Sequence, residues 1–131
     1  MRKIKVKRKL LLGSIVLGGL VLLFLAGTFL QIYQGVKRAC SQAKAEYHAE
    51  CVDSLIQTLK SDNKTFRERN GAIWALGQLA DKKALPVLKS LYTGNKSAKE
   101  PLDITISQYE LKKAIKWCTK GNLTSWMYRD L

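Results

Sequence analysis

The sequence contains a single histidine, His48, and it lacks the residue patterns on which most enzyme sites are built. With one histidine there is no credible Ser-His-Asp set, and neither a glycine-rich phosphate loop nor a matched pair of catalytic carboxylates is visible. The C-x-x-C-H pattern of haem attachment is missing as well. We therefore predict that the protein is not an enzyme, and we expect no cofactor and no small-molecule substrate.

Acidic residues are absent from the first nine positions, which hold six of the 23 lysines and arginines in this chain of 131 residues and formal charge +13. This basic head (1–9) precedes the uncharged run Leu10–Leu30, which as a helix would span roughly 30 Å, the thickness of a bilayer core. Because basic residues stay on the cytoplasmic side, the N-terminus is expected inside. We predict a single-pass anchor at 10–33 in the cytoplasmic membrane, surrounded by the lipid bilayer, and an extracytoplasmic domain at 34–131.

A cleaved signal peptide is the alternative reading of the same segment. Signal peptides have apolar cores of about 7–15 residues that end at an A-x-A-like site. Here the apolar run is longer, and Leu25-Ala26-Gly27 is a poor cleavage site. The pattern favours an uncleaved anchor, and either reading exports the domain.

From Val36 onward apolar residues recur at helical spacing, and there is little β-branched alternation. Helices are predicted at 36–48, 50–60, 64–80, 83–92 and 108–118, with an ordered loop at 96–106. Pro86 has no amide hydrogen and so fits a first helical turn. Expected caps are Asp62 or Asn63 before the third helix, Gly94 after the fourth, and a Ser107–Glu110 capping box on the fifth.

The stretch Arg67–Leu91 predicts two amphipathic helices joined at a tight corner. The inward stripes are Phe66, Ile73, Leu76 and Ala80 on the first helix, and Leu85, Leu88, Leu91 and Tyr92 on the second. A hairpin this short cannot bury its apolar faces alone, so stacked neighbours must cover it. The tail 123–128 is predicted to lie over the last helix, and Trp74, Trp117 and Trp126 are predicted to be packing residues.

The same stretch resembles a HEAT repeat of the short kind found in phycobilin-lyase-like repeat proteins. The resemblance is carried by Arg67 or Arg69, Ala72, Ala75-Leu76-Gly77, Leu79, Asp81 and Ala84-Leu85-Pro86-Val87-Leu88. The soluble part is also similar to small bacterial membrane-anchored HEAT-repeat domain proteins. The resemblance implies an all-α fold, in which one transmembrane helix is followed by a short HEAT-like solenoid of about five helices. It also implies that Gly77 allows two helix backbones to approach closely.

Three cysteines, Cys40, Cys51 and Cys118, would lie in an oxidising compartment if the topology is correct. In one continuous helix Cys40 and Cys51 would be roughly 16 Å apart, beyond the reach of a disulfide, but a turn near 47–49 would let them pair. We favour that pair, while a bridge to Cys118 or no bridge remain open. Cys40, His48 and Cys51 could together bind a soft metal, but they lack a second paired cluster, so no metal site is predicted.

The favoured function is that of a scaffold: a protein–protein interaction module, adaptor or accessory subunit of an envelope complex, whose partner the sequence does not identify. The exposed side chains predicted to meet the partner are Arg67, Arg69, Trp74 and Gln78. One alternative is an envelope enzyme or cofactor chaperone that uses Cys/His chemistry. Another is a basic binder of anionic polymers, using Lys82-Lys83, Lys96–Lys99 and Lys112-Lys113-Lys116. Nucleic acid is not expected, because the domain is exported.

Overall fold

The computed structural model describes residues 2–95 and 100–131, with side chains from residue 7 onward. Residues 96–99, which belong to the predicted loop 96–106 and to the predicted lysine surface, lie outside the described residues. Contacts divide the chain into an N-terminal unit, Met1–Ile32, and a C-terminal unit, Tyr33–Leu131.

The described residues form five α-helices and two short 3₁₀ segments, Lys82–Ala84 and Ser125–Tyr128, and they contain no strand. The helices are α1 (Arg2–Tyr47), α2 (Cys51–Lys60), α3 (Phe66–Leu79), α4 (Leu85–Leu91) and α5 (Gln108–Lys120). The prediction of a helical chain with one long apolar N-terminal helix is therefore confirmed for this part of the chain. The separate helix predicted at 36–48 was wrong in its start, since α1 continues through Gly35 without a break.

The N-terminal unit is the first part of α1. Its large apolar side chains from Leu10 to Leu30 are exposed, as they would be in contact with lipid. Its two hydroxyls bond within the helix, Ser14 Oγ to Leu10 O at 2.9 Å and Thr28 Oγ1 to Phe24 O at 2.6 Å, so neither is left unpaired in an apolar environment. Within the described residues α1 alone is long and apolar enough to cross a membrane, and a signal sequence near an N-terminus can meet the same criterion.

The C-terminal unit packs around α3, whose main neighbours are α2 and α5. Each helix contributes to one core, whose largest fully covered apolar side chains are Val36, Leu55, Leu59, Ile73, Leu76, Leu88 and Leu111. α3 and α5 approach closely at Gly77, where an added Cβ would lie 3.0 Å from the Cα of Ala114. The close approach implied for Gly77 is confirmed.

Contacts along α3 show the direction of its neighbours. Asn70 bonds to Ser107 and Gly77 abuts Ala114, so α3 and α5 run in the same direction. The end of α1 runs the other way, because Glu46 pairs with Lys64 while Gly35 lies against Trp74.

Most of the predicted caps need correction. Thr65, not Asp62 or Asn63, caps α3 in a full capping box with Glu68. α4 ends at Leu91, so Gly94 lies beyond its cap, although Gly94 does have a left-handed backbone, φ +82°. Ala80 closes α3 in the left-handed conformation, φ 54°, which no sequence signal had indicated.

The start of α5 is capped by a residue that the sequence pattern did not single out. Ser107 Oγ accepts from the amide of Glu110, as predicted, but the reciprocal bond of the box is replaced by one from Ser107 N to Asn70. The carboxylate of Glu100 accepts from Ser107 Oγ at 2.6 Å, from Gln108 N at 3.0 Å and from Tyr109 N at 3.2 Å. Such a carboxylate satisfies amides that a helix start leaves free.

The apolar stripes are confirmed at their centres and wrong at an end. Ile73, Leu76 and Leu88 are fully buried, whereas Phe66 is 37% exposed and lies beneath the guanidinium of Arg69. The tail makes its side-chain contacts with α3 and α1: Thr124 bonds to Gln78, and Tyr128 stacks on Tyr33. Trp126 was predicted to pack but is exposed.

Candidate partner-binding groove

One face of α3 forms a groove with the segment that precedes α5. The groove has a volume of about 590 Å³, and its lining is mostly apolar. It is lined by Arg67, Asn70, Gly71, Trp74, Leu102, Asp103 and Glu110. The four α3 residues recur at spacings of three, one and three, so they lie on one side of the helix. An apolar depression with charged side chains at its edge can accept an apolar side chain of another molecule.

Asn70 holds in place the segment 102–107, which forms one wall of this groove. Its Nδ2 donates to the carbonyls of Leu102, at 3.0 Å, and Thr105, at 2.7 Å, while its Oδ1 accepts from the amide of Ser107 at 2.8 Å. The side chain is 5% exposed, so these bonds are largely shielded from water. One amide therefore holds the segment 102–107 against α3, and sequence reasoning did not identify it.

The open edge of the groove carries an ion pair. Arg67 Nε donates to Asp103 Oδ1 at 2.8 Å, and both side chains are largely exposed. The hydrogen bond and the positive charge of Arg67 lower the pKa of the Asp103 carboxyl. An exposed pair contributes little to stability, but it places two opposite charges where an incoming chain would meet them.

Trp74 also lines the groove and is half-buried. A Cβ placed on Gly35 would lie 3.0 Å from Cη2 of Trp74, so one edge of the indole packs on the backbone of α1. The indole therefore packs on α1 and also lines the groove.

Two of the four predicted partner residues do not lie on this surface. Arg69 is largely covered, because its Nε donates to the carbonyl of Leu59 at 2.8 Å and so caps the end of α2. Gln78 is 6% exposed, and its Oε1 accepts from Asn122 Nδ2 and Thr124 Oγ1, both at 3.1 Å. Gln78 continues the face of Arg67 and Trp74, but residues 122–124 fold over it. The prediction that Gln78 is exposed was wrong.

Cys40 and Cys51 lie at disulfide distance, with Cα atoms 4.9 Å apart. The turn predicted near 47–49 makes this possible, since α1 ends at Tyr47 and His48 adopts a positive φ of 53°. Cys118 is buried and unpaired, and burial raises the pKa of its thiol to about 11. Where the structure describes the chain, no three His, Cys, Asp or Glu side chains are grouped to hold a metal ion.

Two lysines of the predicted anion-binding surface have partners within the C-terminal unit. Lys83 Nζ bonds to Asp53 Oδ2 at 2.6 Å, and this bond raises the pKa of Lys83. Lys113 pairs with Glu110 at 2.8 Å and lies over the rings of Tyr109 and Trp117. These two ammonium groups therefore already contact neighbouring side chains of the protein.

Comparison of the chain with protein-family models, curated proteins and solved structures found no match.

Proposed function

We propose that the protein is a membrane-tethered helical module of the HEAT type that binds a protein partner in the groove between α3 and residues 102–107. The observation that carries this proposal is the groove itself, an apolar depression with an ion pair at its edge and a wall fixed by Asn70. The partner contributes an apolar side chain to the space between Trp74 and Leu102. Arg67 and Asp103 offer it polar contacts at the rim.

The tether and the compartment are part of the same proposal. The apolar part of α1 holds the module at the cytoplasmic membrane, and the basic head keeps the N-terminus inside. The Cys40–Cys51 pair supports an extracytoplasmic position, because disulfides persist in oxidising compartments. Trp74 packs on Gly35, which lies only five residues after Leu30, so only a short length of chain separates the groove from the anchor.

The test uses the full-length chain with an affinity tag, isolated from membranes of its own source after mild crosslinking. A Leu102→Asp variant puts a charge into the groove, and we expect it to lose the partner by tenfold or more, about 1.4 kcal/mol per decade of affinity. Ile104→Asp is the matched control, since Ile104 is an exposed isoleucine of the same segment that does not line the groove. Equal recovery of the same proteins with both variants would contradict the proposal.

A further inference from the structure

Two strongly exposed apolar side chains of the C-terminal unit lie three residues apart, beyond the end of α5. Leu123 is 81% exposed and Trp126 is 67% exposed. Both belong to a segment that is fixed to the unit, since Asn122 and Thr124 bond to Gln78 and Tyr128 is buried. A tryptophan and a leucine are therefore exposed on a segment whose backbone is held against the rest of the C-terminal unit.

This segment is tied to the place where the apolar run of α1 ends. The rings of Tyr128 and Tyr33 are stacked, with centroids 6.0 Å apart and planes at 5°. Tyr33 is three residues after Leu30, a length of chain that reaches at most about 11 Å. Trp126 is two residues from Tyr128 and so lies at most about 7 Å further along the chain. A tether this short keeps Trp126 at high effective concentration next to any bilayer that Leu10–Leu30 crosses.

Exposed cations accompany the two apolar side chains. Lys37 and Arg38 follow Tyr33 on α1, and Lys120 and Arg129 flank the segment on either side; these four cations are exposed, as is the acid Asp130 beside Arg129. Tryptophan favours the headgroup level of a bilayer because its ring is apolar and its N–H is polar. Lysine and arginine beside it are attracted by anionic headgroups and can extend to them.

From this combination we propose that residues 121–129 form a bilayer-docking surface of the C-terminal unit. Leu123 and Trp126 enter the boundary between headgroups and acyl chains, and Lys37, Arg38, Lys120 and Arg129 meet the phosphates of anionic lipids. The docking surface shares no residue with the groove near Arg67. The inference rests on the membrane anchor of the proposed function but does not depend on the partner.

The test measures the depth of Trp126 in a bilayer. The full-length chain and its Trp126→Phe variant are reconstituted into vesicles of zwitterionic lipid, with and without anionic phosphatidylglycerol, and flotation establishes insertion. Lipids brominated near the headgroup then quench tryptophan fluorescence, and the difference between the two chains reports Trp126 alone. As a matched control, Tyr109→Trp in the Trp126→Phe background places an exposed tryptophan at the other end of α5, roughly 17 Å along the helix from Lys120.

We expect the Trp126 emission to be quenched by shallow bromines, more strongly when the anionic lipid is present, and the emission added by Tyr109→Trp to be spared. Equal quenching of the Tyr109→Trp control would overturn the inference, and so would equal quenching with and without anionic lipid. If Trp126 becomes more shielded in detergent as the protein concentration rises, a second copy of the chain covers it, and the inference is overturned. A chain that fails to float refutes the anchor and the docking together, whereas one that floats without Trp126 quenching refutes the docking alone.

Discussion

Replacing Asn70 by alanine tests whether one side chain builds the wall of the groove. The substitution removes bonds to Leu102 O, Thr105 O and Ser107 N, each worth about 1 kcal/mol net. Alanine returns about 0.6 kcal/mol of helix propensity at this interior position of α3. We therefore expect the free energy of unfolding to fall by about 2 kcal/mol, a large share of the roughly 5–15 kcal/mol typical of a domain.

The assay is urea unfolding of the full-length chain in a mild non-ionic detergent, followed by tryptophan emission, with hydrogen exchange of the amides in 102–107. Exchange at Ser107 N should accelerate more than exchange in α2, because the segment loses its attachment while the rest of the core is intact. Asn63→Ala is the control, since Asn63 lies exposed in the turn before α3. A loss below about 0.5 kcal/mol, or no change in exchange at Ser107, would refute the role assigned to Asn70.

Four other residues give predictions of their own. Gly77→Ala should lower stability by about 1–3 kcal/mol in the same urea assay, because its Cβ would meet backbone at 3.0 Å. Ala80→Gly should raise the unfolding free energy by about 1 kcal/mol, since it relieves a left-handed alanine. The Cys118 thiol, with its pKa raised to about 11 by burial, should react slowly with iodoacetamide at neutral pH until urea opens the fold. Hydrogen bonds at the start of α3 lower the pKa of Glu68. The stabilisation that they give is therefore present above 4.5, the pKa of an unfolded glutamate, and is lost as the pH falls through the lower pKa of the folded state. We expect the free energy of unfolding of Glu68→Gln to depend less on pH in this acidic range.

Sequence periodicity located most of the helices because their apolar residues face a single core. Ile73, Leu76 and Leu88 were correctly placed inside on spacing alone. The turn that brings Cys40 to Cys51 was also expected, because separate helices were predicted at 36–48 and 50–60. In these cases the determining contacts are local or repeat with the helix period.

The groove could not be derived in the same way, because polar contacts across long sequence separations build it. Asn70 and Ser107 are 37 residues apart, and an asparagine within an α-helix carries no signal of a distant amide partner. Gln78 illustrates the converse case. Its spacing placed it on an outer face, but residues 122–124, whose path the sequence does not specify, cover it and take up its side-chain oxygen.

The most direct test of the tethered-adaptor account is site-specific photocrosslinking at position 102 in intact cells of the protein's source. The account predicts a discrete protein adduct in the membrane fraction from position 102, absent from the same probe at position 109 and reduced by Arg67→Glu. Adducts of equal intensity from both positions, or none from position 102, would contradict it.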